Sequence, residues 1–135
     1  MADTIQLEIV TPERLVVKEA VEYIEIPGKT GYLGVLPGHA PLISELAAGE
    51  LSYRTGNQVK RVAVAWGFAE VLQTKVTILA ETAEKAEEID TARAEAAKKK
   101  AEAEIHKAGP EGNEEAQDAL QRAQARLDVA GKGKN

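Results

Sequence analysis

Through the first half of the chain apolar and polar residues alternate. Ile5, Leu7 and Ile9 fall on one side of the backbone and Gln6 and Glu8 on the other, the period-2 signature of a half-buried strand. Read this way, strands are predicted over residues 4–10, 15–18, 21–26, 42–46, 50–54, 59–66, 69–72 and 76–80. Turn-forming residues stand between them at 11–14, 55–57 and 73–75. Short strands with frequent turns imply an antiparallel β-sandwich or flattened barrel, with the Val, Ile and Leu of those strands as its core. The pattern changes over residues 79–94, LAETAEKAEEIDTARA. Beyond it come Ala, Glu, Lys and Arg, which favour helix over strand. Every aromatic residue lies at or before Phe68, so the N-terminal part must hold nearly all of the core. The reading is β + α: a β domain over 1–84, a hinge over 85–89 and a helical arm over 90–135.

In the arm, Asp90 is a natural N-cap whose carboxylate can accept from the Arg93 backbone N–H. The first helix is expected to run to about Lys107, where Gly109-Pro110-Glu111-Gly112 breaks it. Asn113 caps a second helix to about Ala130, Gly131 ends it, and the tail GKGKN reads as disordered. Ala94, Ala97, Ala101, Ile105 and Ala108 on one helix, with Ala116, Leu120, Ala123, Leu127 and Ala130 on the other, form apolar seams that close an antiparallel hairpin. Burying a methyl yields about a third of what a leucine yields at ~25 cal/mol per Å², so the hairpin's docking is expected to be marginal. Straightened, residues 90–130 would span roughly 60 Å at about 1.5 Å per residue. Weak docking and long reach together describe a switch.

Chemistry is sparse. The chain has no cysteine, which excludes disulfides and thiolate catalysis. No metal-ligand spacing and no nucleophile–base pair stand out, which argues against an enzyme. A net charge of −5 offers no reason to seek nucleic acid. The first residues show no basic stretch followed by an apolar run, so no signal peptide is expected, and no apolar run approaches a membrane span. Residues 27–41, PGKTGYLGVLPGHAP, hold four glycines and three prolines around apolar residues. They form either a glycine-rich strand and corner that only turns the sheet or a rigid loop presenting a contact surface. His39 reads as a structural or interface residue, and His106 as a favourable charge at a helix C-terminus. Arg122 and Arg126, one turn apart, and Arg93 and Lys100 on the other helix are either solvated helix charge or, if the hairpin closes, a cationic cluster near Glu84 and Asp90 suited to a polyphosphate.

These stretches carry a resemblance. GYLGVLPGHAPL (Gly31 to Leu42), WGFAEV (Trp66 to Val71), KVTILAETAEKAEEID (Lys75 to Asp90), ARAEAAKKKAE and ALQRAQARL resemble the epsilon subunit of bacterial F-type ATP synthases over nearly the whole chain. The resemblance implies a ten-stranded β-sandwich followed by a helical hairpin. It implies a non-catalytic rotor subunit, peripheral on the cytoplasmic face of the bacterial inner membrane and bound to the gamma subunit and the c-ring. There it would couple proton-driven rotation to ATP synthesis. Its helices, when extended, would reach the alpha and beta subunits and restrain ATP hydrolysis. No cofactor is required and no metal is implied. In some members ATP binds the folded hairpin as a regulatory ligand; the matching positions are Glu84, Ile89, Asp90, Arg93, Ala94, Arg122 and Arg126. A further basic position, arginine in that pocket, is Lys100 here and lacks the forked donor geometry. Gly31, Tyr32, Leu33, Gly34, Leu36, Pro37, Gly38 and His39 would face the c-ring. The alternative is a free-standing nucleotide-binding module.

Overall fold

Alternation governs the body. In the computed structural model, which describes residues 3–133, Ile5, Leu7 and Ile9 are fully buried, with Ile24, Ile26, Leu46, Leu51 and Ile78 completing the largest core side chains. They project from eight strands: β1 (Ile5–Val10), β2 (Leu15–Val21), β3 (Tyr23–Gly28), β4 (Gly31–Val35), β5 (Leu42–Leu46), β6 (Gly49–Thr55), β7 (Gln58–Val71) and β8 (Lys75–Lys85). The pairing order is β2-β1-β8-β7-β5-β3-β4, and β6 joins β3 to β7. Strands β7, β5, β3 and β6 thereby close a ring, with β8-β1-β2 as a wing and β4 outside β3. This is the expected flattened barrel, with one departure: β1 and β8 run parallel.

Within the segment read as either a glycine-rich strand and corner or a rigid loop, residues 31–35 form the strand, β4, paired with β3 from Gly28↔Gly31 to Ile24↔Val35. The glycines that suggested a loop are tolerated because Val35 supplies the core contact. The predicted strands 59–66 and 69–72 are one strand, β7. Its first part pairs with β6 and its second with β5. The change of partner occurs at Trp66 (φ 58°) and Gly67 (φ 121°), a backbone state that disfavours side chains. A Cβ at Gly67 would collide with the Leu79 carbonyl oxygen. Glycine here bends the strand rather than ending it. The β7–β8 ladder keeps one register on both sides of Trp66 and Glu81, but that pair itself is missing from it. Splitting each long strand at this gap turns eight strands into the ten of the resemblance.

After β8 a 3-10 turn (Ala86–Glu88) leads into α1 (Thr91–Ala108), a second 3-10 turn (Gly109–Glu111) and α2 (Glu114–Gly133). Asp90 Oδ1 accepts from the Arg93 N–H at 3.0 Å, and Asn113 Oδ1 from the Ala116 N–H at 3.0 Å, so both caps form as read. The helices pack through alanines at heptad spacing, Ala94 and Ala101 against Ala116 and Ala123. Helix α2 does not stop at Gly131 but continues to Gly133; Lys132 in that extra turn reaches Glu50 on β6. Of the tail expected to be disordered, residues 131–133 are therefore helical, and 134–135 lie outside the described residues.

Of the two helices, it is α2 that meets the body, over β6, β7 and the first 3-10 turn, while α1 packs on α2. The dock is a separate apolar cluster of Ala63, Ala86, Ile89, Ala125, Val129 and Ala130. Sequence reading placed one seam on α2; the helix buries a second stripe against the sheet, Ala125 and Val129, joined by Ala130 from the expected seam.

The junction is clamped from the β1–β2 turn. Arg14 donates from both terminal nitrogens to the Glu88 carboxylate, at 2.9 and 3.0 Å, and Glu88 also accepts from the Lys85 N–H at 2.9 Å. The hydrogen bond from Arg14 holds the Glu88 carboxyl below the usual range. At Glu19 burial pushes the carboxyl up, but hydrogen bonds from Lys60, Tyr53 and Thr55 outweigh it and the net direction is down. Each group takes a proton less readily folded than unfolded. The stabilisation is complete above the unfolded value and is lost as pH falls through the lower folded one. A urea midpoint that is flat near neutrality and falls below about pH 4.3 is therefore expected. Glu88→Gln should lower the neutral midpoint and shrink the acid decline; an unchanged acid slope would remove Glu88 from this account.

Candidate functional site

Capping brings the arm's charges to the body. Asp90 starts α1 at the end of β8, so Arg93 and Ala94, in its first turn, face Glu84 on β8. Arg126, on the last third of α2, donates its Nε–H to Glu84 Oε1. Glu84, Asp90, Arg93, Ala94, Ala97 and Arg126 enclose a cavity of about 90 Å³. That is less than the ~300 Å³ at which ligand pockets usually begin. A second cavity of about 310 Å³ shares Glu84, Arg93 and Arg126 with it and adds Arg14, Thr11 and Glu13. Three arginines line the larger cavity together with the carboxylates Glu13, Glu81 and Glu84; Arg126 is paired with Glu84 and Arg14 with Glu88 outside it, so a phosphate there would have to displace these carboxylate partners.

Of the eight positions proposed for ATP, five line this cavity and three do not. Ile89 is buried in the apolar dock under α2. Lys100 is exposed on α1, and Arg122 is half-buried on α2, one turn before Arg126. A helical turn advances a side chain along the hairpin as well as around it. Positions two turns beyond Arg93 and one turn before Arg126 thus lie nearer the far end of the hairpin than the cavity at Asp90. Among the described residues no cluster of His, Cys, Asp and Glu suits a metal ion.

The second group of predicted residues sits at one end of the body. Gly31, Tyr32, Leu33 and Gly34 belong to β4, and Leu36, Pro37, Gly38 and His39 to the turn that follows. Backbone hydrogen bonds make that turn rigid: the Gly38 N–H donates to Gln73 O at 2.8 Å and the His39 N–H to Leu36 O at 3.1 Å. His39 Nδ1 lies 2.7 Å from the Ala40 carbonyl oxygen, a local contact. Leu33 packs against the core, whereas Tyr32 and Leu36 are 60% and 57% exposed.

A further surface was missed in the sequence. Phe68 on β7 pairs with Leu79 on β8, Leu79 with Val10 on β1, and Val10 with Leu15 on β2. Residues directly opposite one another share a face, so these four form one row across the sheet. Phe68, Leu79 and Leu15 are each about half exposed, and Ile43, on the adjoining row of β5, is 72% exposed. Reading every strand Val, Ile and Leu as core was therefore wrong for Leu15, Ile43, Val59, Leu72 and Leu79. The available signal was that apolar residues occupy both phases of β8, Ile78 inward and Leu79 outward. An apolar row of this kind on an open sheet face marks an interaction surface.

Residues 4–86 match the family model for the ATP synthase delta/epsilon chain beta-sandwich domain, and residues 87–131 that for its long alpha-helix domain. The ATP synthase epsilon chain of Koribacter versatilis is 63% identical over 111 residues, covering 82% of this chain and 78% of that one. Epsilon chain 2 of Syntrophotalea carbinolica is 48% identical over 135 residues, with 98% of each chain covered. Among solved structures, a chain of the Euglena gracilis mitochondrial ATP synthase assembly of OSCP, F1 and c-ring superposes with a TM-score of 0.81 at 26% identity, covering 96% of this chain and 82% of that one. A chain of the Tetrahymena thermophila mitochondrial central stalk and c-ring, at 12% identity and a TM-score of 0.55, shares the fold. Among the described residues no helix is long and apolar enough to cross a membrane. With both halves matched in order by the two domains of one family, the chain belongs to the ATP synthase delta/epsilon chain family, as an epsilon-type, non-catalytic subunit of that complex.

Proposed function

We propose that this subunit sits at the foot of the central stalk, between the gamma subunit and the c-ring. It would lie on the cytoplasmic face of the bacterial inner membrane and touch the membrane only through the complex. The observation that carries the reading is the apolar row Phe68–Leu79–Val10–Leu15 with Ile43 beside it, on a sheet face that the arm leaves open. Gamma would cover that row, and the rigid turn with Tyr32, Leu36 and His39 would meet the c-ring. Docked, the arm is compact; released, α1 and α2 reach along the stalk to the alpha and beta subunits and restrain ATP hydrolysis.

ATP is the ligand that would favour the compact form. Its phosphates would sit among Arg93, Arg126 and Arg14, and Arg126 would exchange part of its contact with Glu84 for the nucleotide. The supports are the three arginines that line one cavity and the small size of the dock, in which four of six residues are alanine. ATP that binds only the docked form stabilises it by RT ln(1 + [ATP]/Kd), about 1.4 kcal/mol at ten times Kd. That is enough to shift a weakly held arm.

In the isolated chain, Mg-free ATP should move a fluorophore pair on α2 and β6 toward the closed distance. Arg126→Ala should raise the apparent Kd about tenfold, the cost of a charge-assisted hydrogen bond; no response at millimolar ATP ends the ATP reading. For the stalk contact, Phe68→Glu with Leu79→Glu should abolish co-purification with gamma while the chain stays folded. Elution of the unmodified chain alone would instead favour a free-standing module. Removing residues 90–135 from the assembled complex should raise its ATPase rate, and an unaltered rate would leave the arm without an inhibitory role.

A further inference from the structure

Helix α2 ends on a carboxylate. Lys132 Nζ lies 3.2 Å from Glu50 Oε1, and Arg61 Nε lies 3.5 Å from Glu50 Oε2. The Glu50 side chain is 17% exposed. Neither contact is aligned as a hydrogen bond, since Glu50 Oε1 and Arg61 Nε are buried atoms with no hydrogen-bond partner among the described residues. A carboxylate with one oxygen buried and without a hydrogen bond gains from nearby positive charge, and the arm contributes one of its two cations.

The main chain just before it holds another element. The Tyr32 phenolic oxygen lies against the main chain at Gly49, and burial there pushes the phenol's pKa up. The ring seats close: a Cβ on Gly49 would stand 3.3 Å from the Tyr32 oxygen and 2.9 Å from Pro27 Cβ. Strand β4, strand β6 and the last turn of α2 therefore meet at Gly49 and Glu50.

We propose that Glu50 couples the Tyr32 surface to the arm, so that whatever holds Tyr32 in place also holds the end of α2. The main chain just before it, at Gly49, seats the Tyr32 hydroxyl, and its side chain receives Lys132. A partner that draws the Tyr32 ring away from Gly49 empties that seat. That frees the start of β6 to shift, and the carboxylate moves relative to Lys132. Coupling of this kind is reciprocal: release of Lys132 loosens the seat of Tyr32. The proposal rests on the reading above that Tyr32 lies on the rotor-facing surface. It supplies that surface with a route to the arm independent of nucleotide.

Hydrogen exchange of the final two turns of α2, measured on the full chain without partners, tests it. Lys132→Gln and Glu50→Gln should each speed exchange there about fivefold, the upper end for a partly screened ion pair, and the double variant should add little. Tyr32→Phe, which removes only the hydroxyl, should speed the same amides about twofold with far-UV circular dichroism unchanged. Wild-type exchange in Lys132→Gln overturns the latch, and wild-type exchange in Tyr32→Phe overturns the coupling. No partner is present, so the outcome is independent of rotor contact. If Tyr32→Phe accelerates exchange but Tyr32→Glu still binds the c-ring normally, the coupling stands and the rotor-facing reading of Tyr32 falls.

Discussion

The dock between α2 and the barrel is the constraint on which the rest depends. Ala63 and Ala86 on the body meet Ala125 and Ala130 on the helix, and Ile89 and Val129 are the larger side chains present. Small side chains let a helix lie close to a sheet, but they remove little apolar area from water. The interface has good shape and modest energy. Charge contacts make up part of the difference: Arg126 with Glu84 midway along, Lys132 with Glu50 at the end. Both pairs are partly exposed and screened by salt. Since α1 packs on α2 rather than on the sheet, releasing α2 releases the whole hairpin.

The body is built differently. Its core is a contiguous set of Ile, Leu and Val side chains, held by two long strands that bend around it. The bend is concentrated at Trp66–Gly67, where β7 passes from β6 to β5. A tryptophan at positive φ costs free energy and persists where its surroundings determine it. Its position is informative, because Phe68 and Leu79, beside the bend, begin the exposed apolar row. The strain, the long strands and the open face belong to one region, the part of the barrel that would meet the stalk. A packed body with an open apolar face and a lightly held arm are complementary parts: the first would keep a fixed attachment while the second changed position, as proposed above.

The junction between them is ordered by one arginine. Arg14, from a turn more than seventy residues earlier, grips Glu88 with both terminal nitrogens. Glu88 in turn closes the 3-10 turn through the Lys85 N–H. The direction in which the chain leaves β8 is thus set by a residue at the opposite end of the β domain. The cavity beside it takes its third guanidinium group from the same residue.

Local signals determined much of this protein from its sequence. Period-2 alternation placed most strands, the composition change after Leu79 located the arm, and Asp90 and Asn113 announced their helices as N-caps. Such features depend on neighbours within a few residues, so one chain read in order contains them. What depended on pairing across the chain was not legible. Gly67 looked like a strand end and proved to be a bend, because only contact with Leu79 distinguishes the two. Gly31 to Val35 could be read as strand or loop, and the edge offered by β3 decided for strand. Lys100 and Arg122 matched a charge pattern but lie off the cavity, since spacing along a helix does not state which residues the neighbouring helix brings level. The outward apolar row, the Arg14–Glu88 clamp and the meeting of Tyr32, Glu50 and Lys132 join residues tens of positions apart. Tertiary structure alone decided these, because the interactions that define them act through space and leave no period in the sequence.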